Sequence, residues 1–276
     1  MPRIAVVGAS GKTGRAISGA LSARGADVVP VGRSVWTRLA GVLAGCDAVS
    51  VVAPNLYADE PALVSEVLTA ARSAGVRRVV YHSVAAPFAP EMPHHLGKAR
   101  SEDLVRRSSS SWTILQPCAY VQNFVPALLA GEPSLEVPYD VHRTFGLVDL
   151  GDVAAATAAV LLDDEHVGAT FELGGPVPVS VADVAAAASA VLGRLVPAPR
   201  VEPAVWGAGP GATLEARERD WLLAMFGYYD RHGLPTGGRV LRDLLGAHSA
   251  TVDDTLRREL TGARLRLRTR TVRNHD

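Results

Sequence analysis

The sequence predicts an α/β fold: a doubly wound parallel sheet with a smaller region appended at the C-terminal end. Three observations carry this reading. Short apolar runs rich in β-branched residues recur without polar alternation, as strands buried on both faces do. Amphipathic helical stretches separate these runs. Glycine or proline closes most of the elements, as expected of helix caps and strand ends in right-handed crossovers.

Taken in order, Arg3–Val7 is the first strand, followed by the glycine-rich stretch 8–14 and a helix to about Ala23, which Gly25 terminates. Asp27–Val31 is a second strand and residues 35–45 a short helix. Ala48–Ala53 is a strand stopped by Pro54. The next helix places Leu63, Val64, Val67, Leu68 and Ala71 on one face, before a strand at Arg78–Ser83. A polar helix from about Gly97 to Arg107 precedes a strand at Trp112–Leu115, stopped by Pro117. Beyond residue 120 the pattern loosens. Residues 148–153 lead into an Ala-rich helix to Leu162, in which Asp149 and Asp152 read as cap and brace rather than catalytic acids. Thr170–Leu173 is a strand, and Ser180 with Asp183 forms a reciprocal cap on a helix to about Val191. Residues 197–211 read as a loop, with helices near 213–227 and 252–261. The Arg-rich stretch 264–273 reads as a frayed end or, less simply, a partner-binding strand. This gives a nucleotide-binding domain over 1–150, a smaller region over 151–262 that borrows 118–145, and a flexible tail over 263–276.

Composition narrows the function classes. The 276 residues carry 28 basic and 28 acidic side chains, and zero net charge argues against a nucleic-acid binder. No apolar run approaches the ~20 residues of a membrane span, and the N-terminus lacks a signal-peptide pattern. Two separated cysteines, Cys46 and Cys118, make neither a disulfide framework nor a metal site, which suits a reducing cytoplasm. Cys118 reads as a packing residue. The expected partner is a small molecule, with a homodimer or protein partner left open.

The chemistry-bearing motif is Gly8-x-x-Gly11-x-x-Gly14, set between a first strand and a helix. Glycines there permit a tight turn and bring backbone N–H groups up to a pyrophosphate, the dinucleotide fingerprint of a Rossmann-type domain. Ser10, Lys12 and Thr13 lie in the same loop and are expected to bind the cofactor with it. The second strand ends in Gly32-Arg33-Ser34, with arginine where a carboxylate would bind a ribose hydroxyl. Arg33 therefore favours a 2′-phosphate, and NADP(H) over NAD(H). Lysine usage adds an independent signal: the sequence contains lysine only at Lys12 and Lys98. Lysine is the cation whose pKa can be tuned for proton transfer. Ligands of open parallel sheets bind beyond the strands' carboxyl ends. That rule places Pro54, Asn55, Ser83, Val84, Pro117, Cys118, Ala119 and Tyr120 near a nicotinamide, with Tyr120, Asn123 and Phe124 on the substrate wall. Tyr139, Trp206, Trp221, Tyr228 and Tyr229 could line an aromatic-friendly pocket or simply pack a core.

Several stretches together resemble the NmrA-like family of atypical short-chain dehydrogenases/reductases. They are residues 6–14, Val79-Val80-Tyr81-His82-Ser83, Lys98-Ala99-Arg100-Ser101-Glu102, residues 112–120, 148–154, Phe171-Glu172-Leu173-Gly174-Gly175-Pro176 and Leu245-Gly246. The resemblance implies an NAD(P)-binding domain with a smaller substrate region. It implies either a reductase of quinones, enones or aromatic ethers, or a redox-sensing regulator without turnover. Two departures stand out. The link between the strands at 27–31 and 48–53 is too short for the family's usual third strand, so an edge strand and one wall of the adenine pocket are expected to be missing. The superfamily's Tyr-x-x-x-Lys is also absent, and His94 stands at that spacing before Lys98. Ser83, His94 and Lys98 are then the expected reducing site, with His94 or Lys98 as proton donor. A non-redox cyclase or dehydratase on the same scaffold is the remaining alternative. No metal is expected.

Overall fold

The computed structural model describes the backbone of residues 1–273 and the side chains of residues 1–262. Six strands, β1 (Arg3–Val7), β2 (Asp27–Val31), β3 (Ala48–Val51), β4 (Arg78–His82), β5 (Ser111–Pro117) and β6 (Thr170–Leu173), form one sheet in the order β2-β1-β3-β4-β5-β6. Every pairing is parallel. The missing edge strand is thus a property of the fold, and β2 is the outer strand. Pro30 lies within β2, opposite Val6. A proline removes a ladder donor, so it fits only a strand with no outer neighbour.

The helices are α1 (Lys12–Ala23), α2 (Leu39–Leu43), α3 (Glu60–Ser73), α4 (Pro93–Arg107), α5 (Val125–Ala130), α6 (Leu150–Leu162), α7 (Val181–Leu192), α8 (Pro203–Ala208), α9 (Ala216–His232), α10 (Arg239–Leu245) and α11 (Val252–Arg273). Side chains of α2, α3 and α4 cover one face of the sheet, with Val49, Val79, Tyr81 and Ile114 beneath them. Those of α1, α6 and α10 cover the other, over Ile4, Val6, Val80 and Leu115. A third core, beyond the strand ends, joins α5, α7, α9 and α11 around Val125, Tyr139, Phe145 and Leu256. β6 and all but the first residue of α6 lie beyond residue 150, and they complete the sheet and its helical cover.

Some elements differ from expectation. α4 begins at Pro93, a full turn before Gly97. Proline suits a first helical turn because its missing N–H would have no partner there. His94 and His95 therefore lie on a helix, not in a turn. Residues 197–211 are not all loop: α8 begins on Pro203 for the same reason, and a 3-10 turn follows at Pro210–Thr213. The short helix expected at 35–45 divides into a 3-10 turn, Arg33–Arg38, and α2. The last helix runs on through the Arg-rich stretch to Arg273. The flexible tail expected over 263–276 falls where side chains, and at 274–276 the backbone, lie outside the described residues. Among the described residues no helix is long and apolar enough to cross a membrane, and no His/Cys/Asp/Glu cluster is arranged to hold a metal.

Candidate functional site

The glycine loop turns sharply between β1 and α1. Gly8 has φ +79°, and a Cβ on it would lie 2.3 Å from the Val52 carbonyl oxygen. A Cβ on Gly14 would lie 2.2 Å from the Gly8 carbonyl oxygen. Both glycines are therefore required by close backbone approach, one to Val52 just past β3 and one within the loop. Gly11 caps α1 without a side-chain bond, and the first helical amide to pair is Arg15, to Gly11 O at 3.0 Å. The amides of Lys12, Thr13 and Gly14 are left pointing out of the helix start, where the helix dipole favours an anion. No acidic residue occupies that first turn. The Arg15 guanidinium donates to Ser10 O and ties the loop together. The loop opens where the chain reverses direction across the sheet, with β2 on one side of β1 and β3 on the other. Cradle, free amides and absent carboxylate fit a dinucleotide diphosphate.

At the end of β2, Arg33 is exposed and makes no ion pair among the described residues. The 3-10 turn it starts takes the place of the missing strand. Trp36 of that turn packs on the core under α2 and donates through Nε1 to Glu66 of α3.

Beyond the ends of β4 and β5 a polar cluster faces the loop. The Lys12 ammonium donates to Asn123 Oδ1 at 2.8 Å and lies 5.4 Å from the Tyr120 ring centre. Burial lowers the Lys12 pKa. Tyr120 OH and His82 Nε2 are 2.7 Å apart. Tyr120 is fixed from behind by Val148, whose backbone pairs with Ala119 and Val121. Burial first, then the Lys98 charge, pushes His82 down to about 3, so its ring is neutral at ordinary pH. Pro54 and Asn55 are exposed just past β3, and Phe124 packs partly against the third core.

Ser83, His94 and Lys98 share one end of the molecule but make no hydrogen bonds to one another. Ser83 Oγ donates to Glu102 Oε1 at 2.6 Å, and Gln116 Nε2 reaches the same oxygen at 2.7 Å. The Lys98 ammonium donates to Glu60 Oε1 at 2.8 Å and to His82 O at 3.3 Å. Tyr81 OH also donates to Glu60, at 2.6 Å. Both pair members are buried, and Glu60 Oε2 has no partner. His94 packs beside Trp221 of α9 with ring centres 6.2 Å apart, and burial, with the Lys98 charge, pushes it down to about 3. Glu60 and Glu102, with Tyr81 and Gln116 that bond to them, are the members that sequence reasoning missed. Glu102 had a signal, one helical turn after Lys98 on α4. Glu60 had none, since an acidic residue in a first helical turn is ordinarily a solvated one.

The start of α9 lies against the segment that follows β3. Arg217 donates to Leu56 O at 3.3 Å, so the helix touches the segment just past β3. Leu56 (φ +53°) and Ala86 (φ +51°) both adopt left-handed conformations unusual for residues with side chains. Of the aromatic candidates, Tyr139 and Tyr229 are core, packed edge-on at 5.7 Å, whereas Trp221 lies between His94 and the Arg217 guanidinium. Cys118 is buried, and burial raises its pKa to about 11, which fits packing rather than nucleophilic work. Asp149 caps α6 through Asp152 N at 3.1 Å. It also accepts from Gln122 at 2.7 Å and from Arg258, the brace anticipated for it.

Comparisons with known proteins agree with this geometry. The model of the NmrA-like family matches residues 36–237. An NAD(P)H azoreductase of Xenophilus azovorans is 31% identical over 183 residues, which are 64% of this chain and 62% of that protein. The chain thus matches less than two thirds of the azoreductase. A (4-alkanoyl-5-oxo-2,5-dihydrofuran-3-yl)methyl phosphate reductase of Streptomyces griseus is 30% identical, over 69% of this chain and 74% of that one. Among solved structures, the NADPH complex of an Escherichia coli NADPH-dependent quinone oxidoreductase superposes with a TM-score of 0.77 at 20% identity, covering 92% of this chain and 98% of the other. A Citrobacter triphenylmethane reductase with NADP(H) gives the same score, identity and coverage.

Proposed function

Since the chain belongs to the NmrA-like family, we propose that it is an NAD(P)H-dependent reductase of a small conjugated electrophile, a carbonyl, enone or quinone-like molecule. The observation that carries the reading is the glycine cradle at the β1–β3 crevice, whose free amides suit a diphosphate. The curated relatives, named as an NAD(P)H azoreductase and a (4-alkanoyl-5-oxo-2,5-dihydrofuran-3-yl)methyl phosphate reductase, support the reaction class. When bound, the nicotinamide coenzyme supplies the hydride. The backbone of Gly8, Gly11 and Gly14, with Ser10 and Thr13, holds the diphosphate. Pro54, Asn55, Pro117 and Tyr120 line the nicotinamide end. Tyr120, Asn123 and Phe124 form the substrate wall.

The preferred coenzyme in this reading is NADPH. Arg33 stands free at the end of β2, where a 2′-phosphate would lie, and no carboxylate occupies that strand end. Ser83 and Lys98 serve this site through their carboxylate partners, holding the end of β4 in place. His94, neutral beside Trp221, offers an N–H to a substrate oxygen rather than acting as a cationic acid.

Titration with NADPH and NADH tests the coenzyme assignment: NADPH is expected to bind roughly tenfold or more tightly, and Arg33→Ala to erase about 1–2 kcal/mol of that preference. NADPH oxidation against a panel of quinones, enones, ketones and azo dyes tests the reaction. A second reading, a redox sensor without turnover, draws on the saturation of Lys98 by Glu60. Tight NADPH binding with no oxidation across the panel is its signature. Failure to bind either coenzyme at millimolar concentration overturns both.

A further inference from the structure

The two lysines of this chain are in opposite states. Lys98 is buried, and its ammonium is engaged by Glu60 and the His82 carbonyl. Lys12 lies in the open loop, and its one hydrogen bond among the described residues is to Asn123 Oδ1, at 2.8 Å. That bond joins the segment after β1 to the segment after β5, and in the sheet β3 and β4 lie between them. It therefore arches over the strand ends at which ligands of such sheets bind. Tyr120 supports the arch from below: its ring lies under the Lys12 ammonium and its hydroxyl is bonded to His82 at the end of β4. The Asn123 backbone is set as well, its N–H donating to Tyr120 O at 3.0 Å.

Lysine has donors and no acceptor, so the Asn123 atom that it holds is the carbonyl oxygen. The amide is thereby fixed with its other end, the Nδ2 donor, left over for a ligand. We infer that Lys12 is a positioning residue that orients the Asn123 amide so that its Nδ2 donates to an acceptor atom, a carbonyl or quinone oxygen or an azo nitrogen, beside the bond being reduced. The inference rests on the reductase reading and narrows it in two respects. The substrate must carry a hydrogen-bond acceptor at the reducible group. Lys12 acts on the substrate side and is not a ligand of the coenzyme diphosphate, which the loop amides hold.

The arch itself is tested without any substrate. Lys12 is the one lysine that is not buried, so acetic anhydride labelling followed by peptide mass spectrometry reads its protection directly in the apo protein. Its acylation rate is expected to rise by about twofold or more in Asn123→Leu and to stay low in Asn123→Asp, which keeps an acceptor. An equal rate in wild type and Asn123→Leu overturns the arch. The substrate role is read from NADPH-dependent reduction of 1,4-naphthoquinone. Lys12→Met, Asn123→Leu and Asn123→Asp are each expected to raise KM about five- to tenfold with kcat changed much less. The Lys12→Met/Asn123→Leu double variant should be no worse than the poorer single, and Lys12→Arg should restore most of the loss. NADPH Kd, by fluorescence titration, should stay within about twofold of wild type throughout. A tenfold weaker NADPH Kd in Lys12→Met, or additive losses in the double variant, overturns the inference. Wild type that neither binds NADPH nor reduces the quinone counts against the reductase reading instead, and the labelling result still decides the arch.

Discussion

At the residue scale, the site is set by atoms that have no room to move. A methyl on Gly14 would meet the Gly8 carbonyl oxygen, so Gly14→Ala must displace the loop that presents the free amides. Overpacking of this kind costs about 1–3 kcal/mol, and NADPH affinity is expected to fall roughly 10- to 100-fold. Fluorescence titration measures it, with circular dichroism confirming that α1 is retained. The Lys98–Glu60 pair makes a second prediction. Lys98→Met leaves a buried carboxylate unpaired, one of whose oxygens already lacks a partner, and should cost about 3–5 kcal/mol in urea denaturation. Removing both charges in Lys98→Met/Glu60→Gln should recover much of that loss. Turnover that returns along with stability assigns Lys98 to bracing; turnover that stays absent assigns it to the chemistry. The need for glycine at positions 8 and 14 was legible in the sequence, and Arg33 and both lysines stood out as candidates by residue type alone. Glu60 was not legible, because a carboxylate's burial depends on which helix packs over it, and Glu102 was marked only by its place one helical turn after Lys98.

At the element scale, α4 carries the candidate residues His94 and Lys98 and starts a full turn before the position expected for it. Its first turn, begun by Pro93, places His94 and His95 against α9 and the loop after β4. Burial pushes His82 and His94 down to about 3 and His95 to about 4, against an ordinary 6.5. Below pH 6.5 the unfolded chain takes up these protons while the folded chain refuses them. The stabilisation is thus complete above pH 6.5 and is lost as pH falls from there towards 3. Thermal denaturation should show Tm declining between pH 6.5 and 5, before carboxylates titrate, and His94→Gln should flatten part of that slope. β2 was read correctly as a strand, and the short link behind it foretold an unflanked edge. The helices α8 and α9 were harder to read. The Pro/Gly content around α8 signals turns, and α9 presents apolar side chains on several sides rather than along one stripe.

At the scale of the whole molecule, two cores hold the sheet between its helix layers and a third holds the region beyond the strand ends. Asp149 ties these layers together, joining the start of α6, the turn after β5 through Gln122, and α11 through Arg258 and Thr255. Bonds from Gln122 and Arg258 outweigh the effect of burial and hold its pKa below the usual carboxylate range. The alternation of strands and helices made the sheet legible, whereas the third core is assembled from segments far apart in the sequence and has no local signature. The outer edge of the sheet has a kinetic corollary. Among the described residues no strand lies beyond β2, so in the proposed reading an adenosine bound at that edge would rest on the Arg33 turn and stay open to solvent on its far side. Spent coenzyme should therefore depart quickly, leaving bond-making at the nicotinamide to govern the steady state. A substantial isotope effect on kcat with 4-deuterated NADPH is the expected reading, and an effect near unity would show that coenzyme exit still sets the pace.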